Sequence, residues 1–98
     1  MGIRTFADQG TGDVFNGKDS RKARSTCPVE LIRRARHKLD QLNAATSLDD
    51  LKMPPGNNLE PLHGDRKGQH SIRINGQYRV CFRWTDAGAD DVEIVDYH

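Results

Sequence analysis

Two alternating segments on either side of Asn75-Gly76 constrain the fold of this chain more than any other feature. Apolar and polar side chains alternate in residues 70–74, and they alternate again in residues 78–84. Alternation with a period of two is typical of a half-buried β-strand, and an Asn-Gly pair between two such segments favours a tight hairpin. A three-residue loop with a bulge at the glycine would place Ile72 opposite Val80, so that one face of the hairpin is apolar.

The residues that precede this hairpin predict helices and loops. Pro28 fits the first position of a helix, and the apolar stripe that follows comprises Leu31, Ile32, Ala35, Leu39 and Leu42. The S-x-x-D pattern of residues 47–50 predicts a capping box and a short helix behind it. Nearer the N-terminus, we expect a short strand at residues 3–6, a glycine-containing loop at 8–16, and a basic loop or first helical turn at 16–25.

The order of these elements predicts an α+β fold. Residues 92–96 form a β-branched run and are expected to be the last strand, after a turn at residues 86–90. We therefore expect a single domain, residues 1–98, in which two N-terminal helices pack on a small twisted antiparallel β-sheet.

The net charge is only +1, but the basic residues are clustered along the chain. One group lies within residues 18–38, and a second group comprises Arg66, Lys67, Arg73, Arg79 and Arg83. Basic residues on a helix most often form a solvated face, and the alternative is a surface that binds phosphates.

Several classes of protein are disfavoured by composition. Cys27 and Cys81 are too few for a disulfide framework, and they lack zinc-ligand spacing. The same absence of ligand spacing argues against a metal site at His63, His70, Asp96 and His98. No segment approaches the length of a transmembrane helix, and the N-terminus has no apolar signal region. We therefore expect a cytoplasmic protein without a metal or other cofactor.

The last three residues are chemically unusual for the end of a strand. Asp96, Tyr97 and His98 follow the β-branched run directly, and each of these side-chain types can accept or donate a proton. Regular alternation would place Asp96 and His98 on one face and Tyr97 on the other. The alternative interpretation is a core strand that ends in a polar fringe.

A meander of strands could bring several of these polar groups onto one face. The candidates are His63 in the polar turn 63–70, Arg79 in the next strand, and the terminal Asp96-Tyr97-His98. Cleavage of RNA without a metal needs a group that takes the 2′-hydroxyl proton, a cation that stabilises the phosphorane, and an acid that protonates the leaving oxygen. Arginine suits the phosphate because its planar fork can bind two oxygens.

With these residues in view, the chain resembles the HigB/GraT type of RelE-superfamily toxins, which belong to bacterial type II toxin–antitoxin systems. The resemblance depends on the combination of segments 54–57, 59–66, 68–73, 78–82 and 92–98. The helical first half fits the family in length and in order.

The resemblance implies a RelE-like microbial RNase fold and a toxin that enters the ribosomal A site and cuts mRNA. Arg79 matches the arginine that stabilises the phosphate, and Asp96-Tyr97-His98 matches the C-terminal catalytic triplet. Two positions depart from the pattern, because efficient members have lysine in place of His63 and histidine in place of Glu60. These departures leave room for weaker cleavage.

The resemblance also gives the basic residues a role and the chain its partners. The residues expected to hold ribosomal RNA phosphates, with a strong salt dependence, are Arg33, Arg34, Arg36, Lys38, Arg66, Lys67 and Arg73. The implied partners are the ribosome through its 16S rRNA, mRNA, and a HigA-like helix-turn-helix antitoxin. Operator DNA would be contacted only through the antitoxin.

Alternatives remain open for individual residues and for the function. Arg79 could be a structural ion-pair partner and His63 an ordinary turn histidine. Asp96 is a weak base and could instead orient His98. A gyrase-binding inhibitor on the same scaffold would not need the acid–base cluster, and a ribosome-binding growth inhibitor without nuclease activity is a further alternative.

Overall fold

A computed structural model describes residues 2–97, which form three α-helices and one four-stranded antiparallel sheet. The strands follow the order of the chain: β1 (Glu60–Pro61), β2 (His70–Arg73), β3 (Tyr78–Thr85) and β4 (Gly88–Asp96). The α+β prediction is confirmed. None of the described helices is long and apolar enough to cross a membrane.

The β2–β3 hairpin has the predicted register. Ile72 pairs with Val80, and the Ile74 amide donates to the carbonyl of Tyr78 at 2.9 Å. The side chain of Asn75 closes the turn, because its Oδ1 accepts from the backbone amides of Gln77 at 2.9 Å and Tyr78 at 2.7 Å. The preference for the bulged three-residue loop is therefore confirmed.

Strand β4 begins earlier than the sequence indicated. It starts at Gly88, so the predicted turn at residues 86–90 is shorter than expected. The pairing shifts by one residue between Cys81 and Arg83, and Asp91 at this irregularity has a φ of 54°. A β-bulge of this kind lets the longer strand keep its apolar side chains on the buried face.

The prediction of a loop at residues 8–16 is wrong, because this segment forms helix α1 (Gln9–Phe15). Asp8 caps the helix by accepting from the Thr11 amide at 3.1 Å. Gly10 and Gly12 lie inside the helix and are buried. A Cβ on Gly10 would lie 2.5 Å from the carbonyl oxygen of Lys22, so the glycine allows the next helix to approach closely.

The basic segment that follows is partly helical, and the long helix is shorter than predicted. Helix α2 (Arg21–Thr26) is capped by the Ser20 hydroxyl, and Pro28 precedes a single 3-10 turn (Val29–Leu31) before helix α3 (Ile32–Ala44). Ala35, Leu39 and Leu42 of the predicted stripe are buried. Ile3 and Phe6 form only isolated parallel bridges to strand β4.

Short 3-10 turns follow helix α3, two of them before strand β1 and one between strands β1 and β2. The first (Leu48–Lys52) has the predicted capping box between Ser47 and Asp50, and the others are Pro55–Asn57 and Gly64–Arg66. Hydrogen bonds from Thr46 and Ser47 to the Asp50 carboxylate lower the pKa of that group.

The hydrophobic core lies between helix α3 and one face of the sheet. Leu39 and Leu42 of the helix pack with Ile72, Val80 and Phe82 of the strands, and all five side chains are fully buried. The opposite face of the hairpin carries Ser71, Arg73, Arg79, Cys81 and Arg83, as the alternation predicted. This second face positions the polar groups described next.

Candidate active site

A polar cleft of about 280 Å³ lies at the turn end of the β2–β3 hairpin. The residues that line it are Asn58, Glu60, Arg73, Asn75, Gly76, Arg79 and Tyr97. The cleft therefore combines two guanidinium groups, a carboxylate and a phenol. Such a set can bind an anion, and its phenol can stack on an aromatic ring.

Arg79 is held in this cleft by hydrogen bonds from two of its guanidinium nitrogens. Its Nε donates to Ser71 Oγ at 2.7 Å, and its Nη2 donates to the Asn58 carbonyl at 2.6 Å. Only 12% of the arginine side chain is exposed. The Asn58 carbonyl is aimed by a left-handed backbone conformation, with a φ of 45°. Residues 2–97 provide no hydrogen-bond acceptor for Nη1 of Arg79, which leaves those N–H groups available to a ligand.

Glu60 introduces a negative charge beside this guanidinium. Its Oε1 lies 3.6 Å from Nη2 of Arg79, and about half of the Glu60 side chain is exposed. Glu60 pairs with Ser71 across strands β1 and β2, which explains why the carboxylate and the arginine share one face. Glu60 therefore counterbalances part of the positive charge that a phosphate would meet.

The sheet separates two members of the terminal triplet. Tyr97 lines the cleft with Arg79 and is 40% exposed. Asp96 pairs with Tyr78, on the face opposite to Arg79, and both of its carboxylate oxygens accept from Gln77 Nε2, at 3.1 and 3.2 Å. The sequence placed all the polar groups around one concavity, and the structure brings Tyr97 but not Asp96 to Arg79.

The environment of Tyr78 reflects this separation. Desolvation raises the pKa of its phenol, and electrostatic interactions with Asp96 and Cys27 raise it further. Asp96 thus acts electrostatically on the helix side of the sheet.

The structure describes one of the two candidate histidines. His63 is exposed, precedes the 3-10 turn 64–66, and is not among the described residues that line the cleft. His98 lies outside the described residues. The sequence-based role of each histidine remains a prediction.

The predicted RNA-binding residues fall into separate environments. Arg73 lines the cleft, whereas Arg33 and Arg36 line a groove of about 360 Å³ on the helical side of the sheet. Arg34 and Lys67 are exposed.

Two of these basic residues have intramolecular partners. Arg66 forms an ion pair with Glu93 at 3.2 Å. The Nζ of Lys38 donates to Oδ1 of the fully buried Asn57 at 2.6 Å, so one of its three N–H groups is engaged within the protein. Its role in RNA binding stays a prediction. Desolvation, together with the charge of Arg34, lowers the pKa of Lys38. A periodic sequence pattern cannot show that a helix lysine folds back onto a buried amide.

Sequence reasoning missed the two anchors of Arg79. The alternation placed Ser71 on the polar face of the hairpin but did not indicate its contact with Arg79, and no sequence pattern indicated Asn58. The one available signal was a small hydroxyl residue beside Ile72 in a strand. Within the described part of the chain, no group of three or more His, Cys, Asp or Glu side chains is arranged to hold a metal ion.

A comparison with known families assigns the chain to one of them. The family described as the RelE-like toxin of type II toxin–antitoxin system HigB matches residues 4–98. The chain belongs to this HigB-like family. Because the match extends over nearly the whole chain, it includes the cleft and the helical layer, and the family resemblance seen in the sequence is confirmed.

Individual relatives of this HigB-like chain match over different lengths. Toxin HigB-1 of Vibrio cholerae is 52% identical over 52 residues, which are 53% of this chain and 55% of that protein. An uncharacterised protein of Haemophilus influenzae is 37% identical over 60 residues, or 61% of this chain and 59% of the relative. The chain therefore matches little more than half the length of these two relatives.

A more distant relative and a solved structure match over the full length. Endoribonuclease HigB of Proteus vulgaris is 27% identical over 96 residues, which are 98% of this chain and 99% of that protein. The YoeB-YefM complex from Staphylococcus aureus contains a chain that superimposes with a TM-score of 0.61 at 18% identity, covering 100% of this chain and 97% of that one. The predicted RelE-like fold is thereby confirmed for the HigB-like chain.

Proposed function

We propose that this HigB-like chain is an endoribonuclease toxin that cuts mRNA in the ribosomal A site and so inhibits translation and growth. The observation that carries the proposal is the anchoring of Arg79 in the polar cleft, with Nη1 left without an acceptor from residues 2–97. A rigid guanidinium that offers unbonded N–H groups suits a phosphate whose charge increases during the reaction.

The proposed chemistry is acid–base catalysis by the side chains of the protein, without a metal. The 2′-hydroxyl loses its proton and its oxygen forms a bond to the adjacent phosphorus, which gives a pentavalent phosphorane. Arg79 stabilises the extra negative charge of that phosphorane. The bond to the 5′-oxygen then breaks and that oxygen gains a proton, leaving a 2′,3′-cyclic phosphate and a 5′-hydroxyl.

The other candidate residues are assigned the following roles within this proposal. We assign Tyr97 to stacking on a base beside the phosphate, since it shares the cleft with Arg79. We assign proton transfer to His98, with His63 as the second candidate. Asp96 lies on the opposite face of the hairpin, so we assign it to positioning the end of the chain rather than to contact with the phosphate.

The proposal also includes two partners of the toxin, the ribosome and an antitoxin. We propose that the exposed basic residues bind 16S rRNA phosphates on the ribosome and that a HigA-like helix-turn-helix antitoxin neutralises the toxin and links it to operator DNA. The helical groove, with apolar Val29 and Ile32 and basic Arg33 and Arg36, is chemically complementary to an acidic amphipathic segment of such an antitoxin. This groove lies on the side of the sheet away from the cleft, so its occupation need not cover Arg79.

The experiment is induced expression of the wild type and of Arg79→Ala, with growth curves and primer extension on a reporter mRNA from the same cells. Arg83→Ala is the matched control, because Arg83 lies on the same strand face but outside the cleft, 45% exposed. The proposal predicts growth arrest and in-frame cuts for the wild type and for Arg83→Ala. Both should vanish in Arg79→Ala while the variant still cosediments with ribosomes.

One observation favours a second candidate function. The Glu60 carboxylate 3.6 Å from Arg79 competes with a phosphate for the same charge, as suits a ribosome-binding growth inhibitor that does not cut RNA. Growth arrest without mRNA cuts would support this candidate and overturn the nuclease. Growth arrest without either cuts or ribosome cosedimentation would direct attention to a target such as gyrase.

A further inference from the structure

We infer that Ser71 is a positioning residue for Arg79, and that its buried hydroxyl orients the guanidinium for the RNA cleavage proposed above, on which this inference rests. Ser71 is fully buried in strand β2, and its Oγ lies 2.7 Å from Nε of Arg79. The backbone carbonyl of Ser71 is a second acceptor, 3.4 Å from Nη2.

The location of Ser71 in the sheet makes this contact possible. Ser71 pairs with Glu60 of strand β1 on one side and with Cys81 of strand β3 on the other, so its side chain shares a face with both. Arg79 is the diagonal neighbour, two residues before Cys81. Diagonal positions on one face are within reach of a long side chain, so an arginine here can lie across the serine.

Of the five N–H groups of Arg79, those on Nε and Nη2 face acceptors within the protein, and those on Nη1 are left for the substrate. The Nε group is bonded to Ser71, and Nη2 faces the Asn58 carbonyl, the Ser71 carbonyl and the Glu60 carboxylate. The two N–H groups of Nη1 have no acceptor from residues 2–97. With Nε and Nη2 fixed, the plane of the guanidinium is fixed as well, and Nη1 meets the substrate in one orientation.

The hydrogen bond from Arg79 offsets the unfavourable free energy of burying the Ser71 hydroxyl. Burial of a hydroxyl without a hydrogen bond is unfavourable, and the bond to a charged donor reverses that penalty. Alanine would pack in the same space, but it would leave the Nε–H of a mostly buried arginine without its acceptor. The guanidinium would then be free to rotate, and the orientation of Nη1 would be lost.

The test is a double-mutant cycle on single-turnover mRNA cleavage by the toxin on programmed ribosomes. We expect Ser71→Ala to slow cleavage about tenfold without a change in ribosome affinity. It should have no further effect in an Arg79→Lys background, which keeps a cation for measurable residual cleavage but lacks the Nε–H that Ser71 holds. Ser71→Thr keeps the Oγ acceptor and should retain most of the wild-type rate. A serine that merely supported the fold would slow both backgrounds equally, and that result would overturn the inference.

A second readout needs no RNA. In the ¹H–¹⁵N spectrum of the whole toxin, the Nε–H of Arg79 should exchange slowly with solvent in the wild type and rapidly in Ser71→Ala. Thr11→Val is the matched control, because it removes another fully buried hydroxyl, which accepts from the Ile94 amide, and should alter neither readout. Normal cleavage by Ser71→Ala would overturn this inference alone, whereas absence of cleavage by the wild type would overturn the proposed function as well.

Discussion

The Oε1 atom of Glu60 lies 3.6 Å from the Nη2 atom of Arg79 in a cleft that both side chains share with Tyr97. The arginine is 12% exposed and the glutamate 51% exposed, so water screens only one side of this ion pair. A phosphate that binds Arg79 must therefore either displace the carboxylate or tolerate it as a neighbour.

This relationship predicts that Glu60→Gln tightens RNA binding. Removal of one negative charge beside a phosphate site should strengthen the binding of a non-cleavable 2′-deoxy-substituted oligonucleotide by about three- to tenfold at low salt. Fluorescence anisotropy of a labelled oligonucleotide measures this directly. Asp65→Asn is the control, because Asp65 is an exposed acid of the 64–66 turn and does not line the cleft.

Two results would speak against that account of Glu60. Unchanged affinity would mean that the carboxylate does not compete with the phosphate. Tighter binding together with loss of mRNA cleavage would instead give Glu60 a part in proton transfer.

The buried side-chain amide of Asn57 is predicted to stabilise the segment before strand β1 through its hydrogen bonds. The side chain of Asn57 is fully buried, accepts from Lys38 and donates to the carbonyl of Leu51 at 3.2 Å. Asn57→Ala should lower the free energy of unfolding by about 2 to 3 kcal/mol, because it leaves those buried polar groups without a partner. Urea unfolding measures the change. Asn43→Ala, at an exposed hydrogen bond, should cost clearly less.

The close contact between helices α1 and α2 predicts that Gly10→Ala destabilises the protein, although helix propensity alone would favour alanine. Alanine favours an isolated helix over glycine by about 1 kcal/mol. In Gly10→Ala, however, the new Cβ would lie 2.5 Å from the Lys22 carbonyl oxygen and 2.9 Å from Thr26 Cγ2. We expect a net loss of about 1 to 3 kcal/mol in thermal unfolding, since the helices must separate.

A second glycine, which has open space around it, provides the contrast. Gly56→Ala places a Cβ in open space, with no heavy atom within 4 Å. It should be neutral or stabilise by up to about 1 kcal/mol, because alanine reduces the entropy of the unfolded chain. If Gly10→Ala proves as stable as Gly56→Ala, the α1–α2 contact is looser than the structure indicates.

The hairpin could be predicted from sequence because its determinants are local. Asn75 closes the turn with its own side chain, and the register of Ile72 with Val80 follows from the alternation itself. Helix α1 could not be predicted in this way. Its buried Thr11 and Asp13 are satisfied by Ile94 of the last strand and by Ser20 of the next helix cap, and such tertiary contacts leave no periodic signal.

In the candidate site too, sequence pattern indicated the features that depend on local sequence but not those that depend on tertiary contacts. Arg79 was identified from its residue type and strand position, and the alternation correctly placed Tyr97 on the face opposite to Asp96. The anchors Ser71 and Asn58 could not be found, because one depends on a diagonal contact between strands and the other on a backbone carbonyl aimed by a left-handed turn. Sequence pattern therefore indicates candidate site residues from their type and strand position, but it does not reveal the neighbouring groups that hold them in place.

The capping box at Ser47 and Asp50 predicts a pH dependence of stability. Hydrogen bonds from Thr46 and Ser47 lower the pKa of Asp50 below 3.8, so the unfolded state binds a proton first as the pH falls. The wild type should be more stable than Asp50→Asn at pH 6, and this advantage should disappear as the pH falls from about 4 through the lowered pKa. Unfolding of both proteins between pH 2 and 6 measures it, and parallel pH profiles would contradict the prediction.

The two environments of the basic residues predict different contributions to RNA binding. Arg73 lines the cleft, whereas the Lys38 ammonium is directed to the buried Asn57 amide. Arg73→Gln should weaken oligonucleotide binding and reduce the slope of log K against log salt concentration by about 0.7, the value for one lost phosphate contact to a single strand. Lys38→Gln removes the same charge and should leave that slope unchanged. Equal slopes for the two variants would mean that net charge, rather than the position of the guanidinium in the cleft, governs how the protein holds RNA.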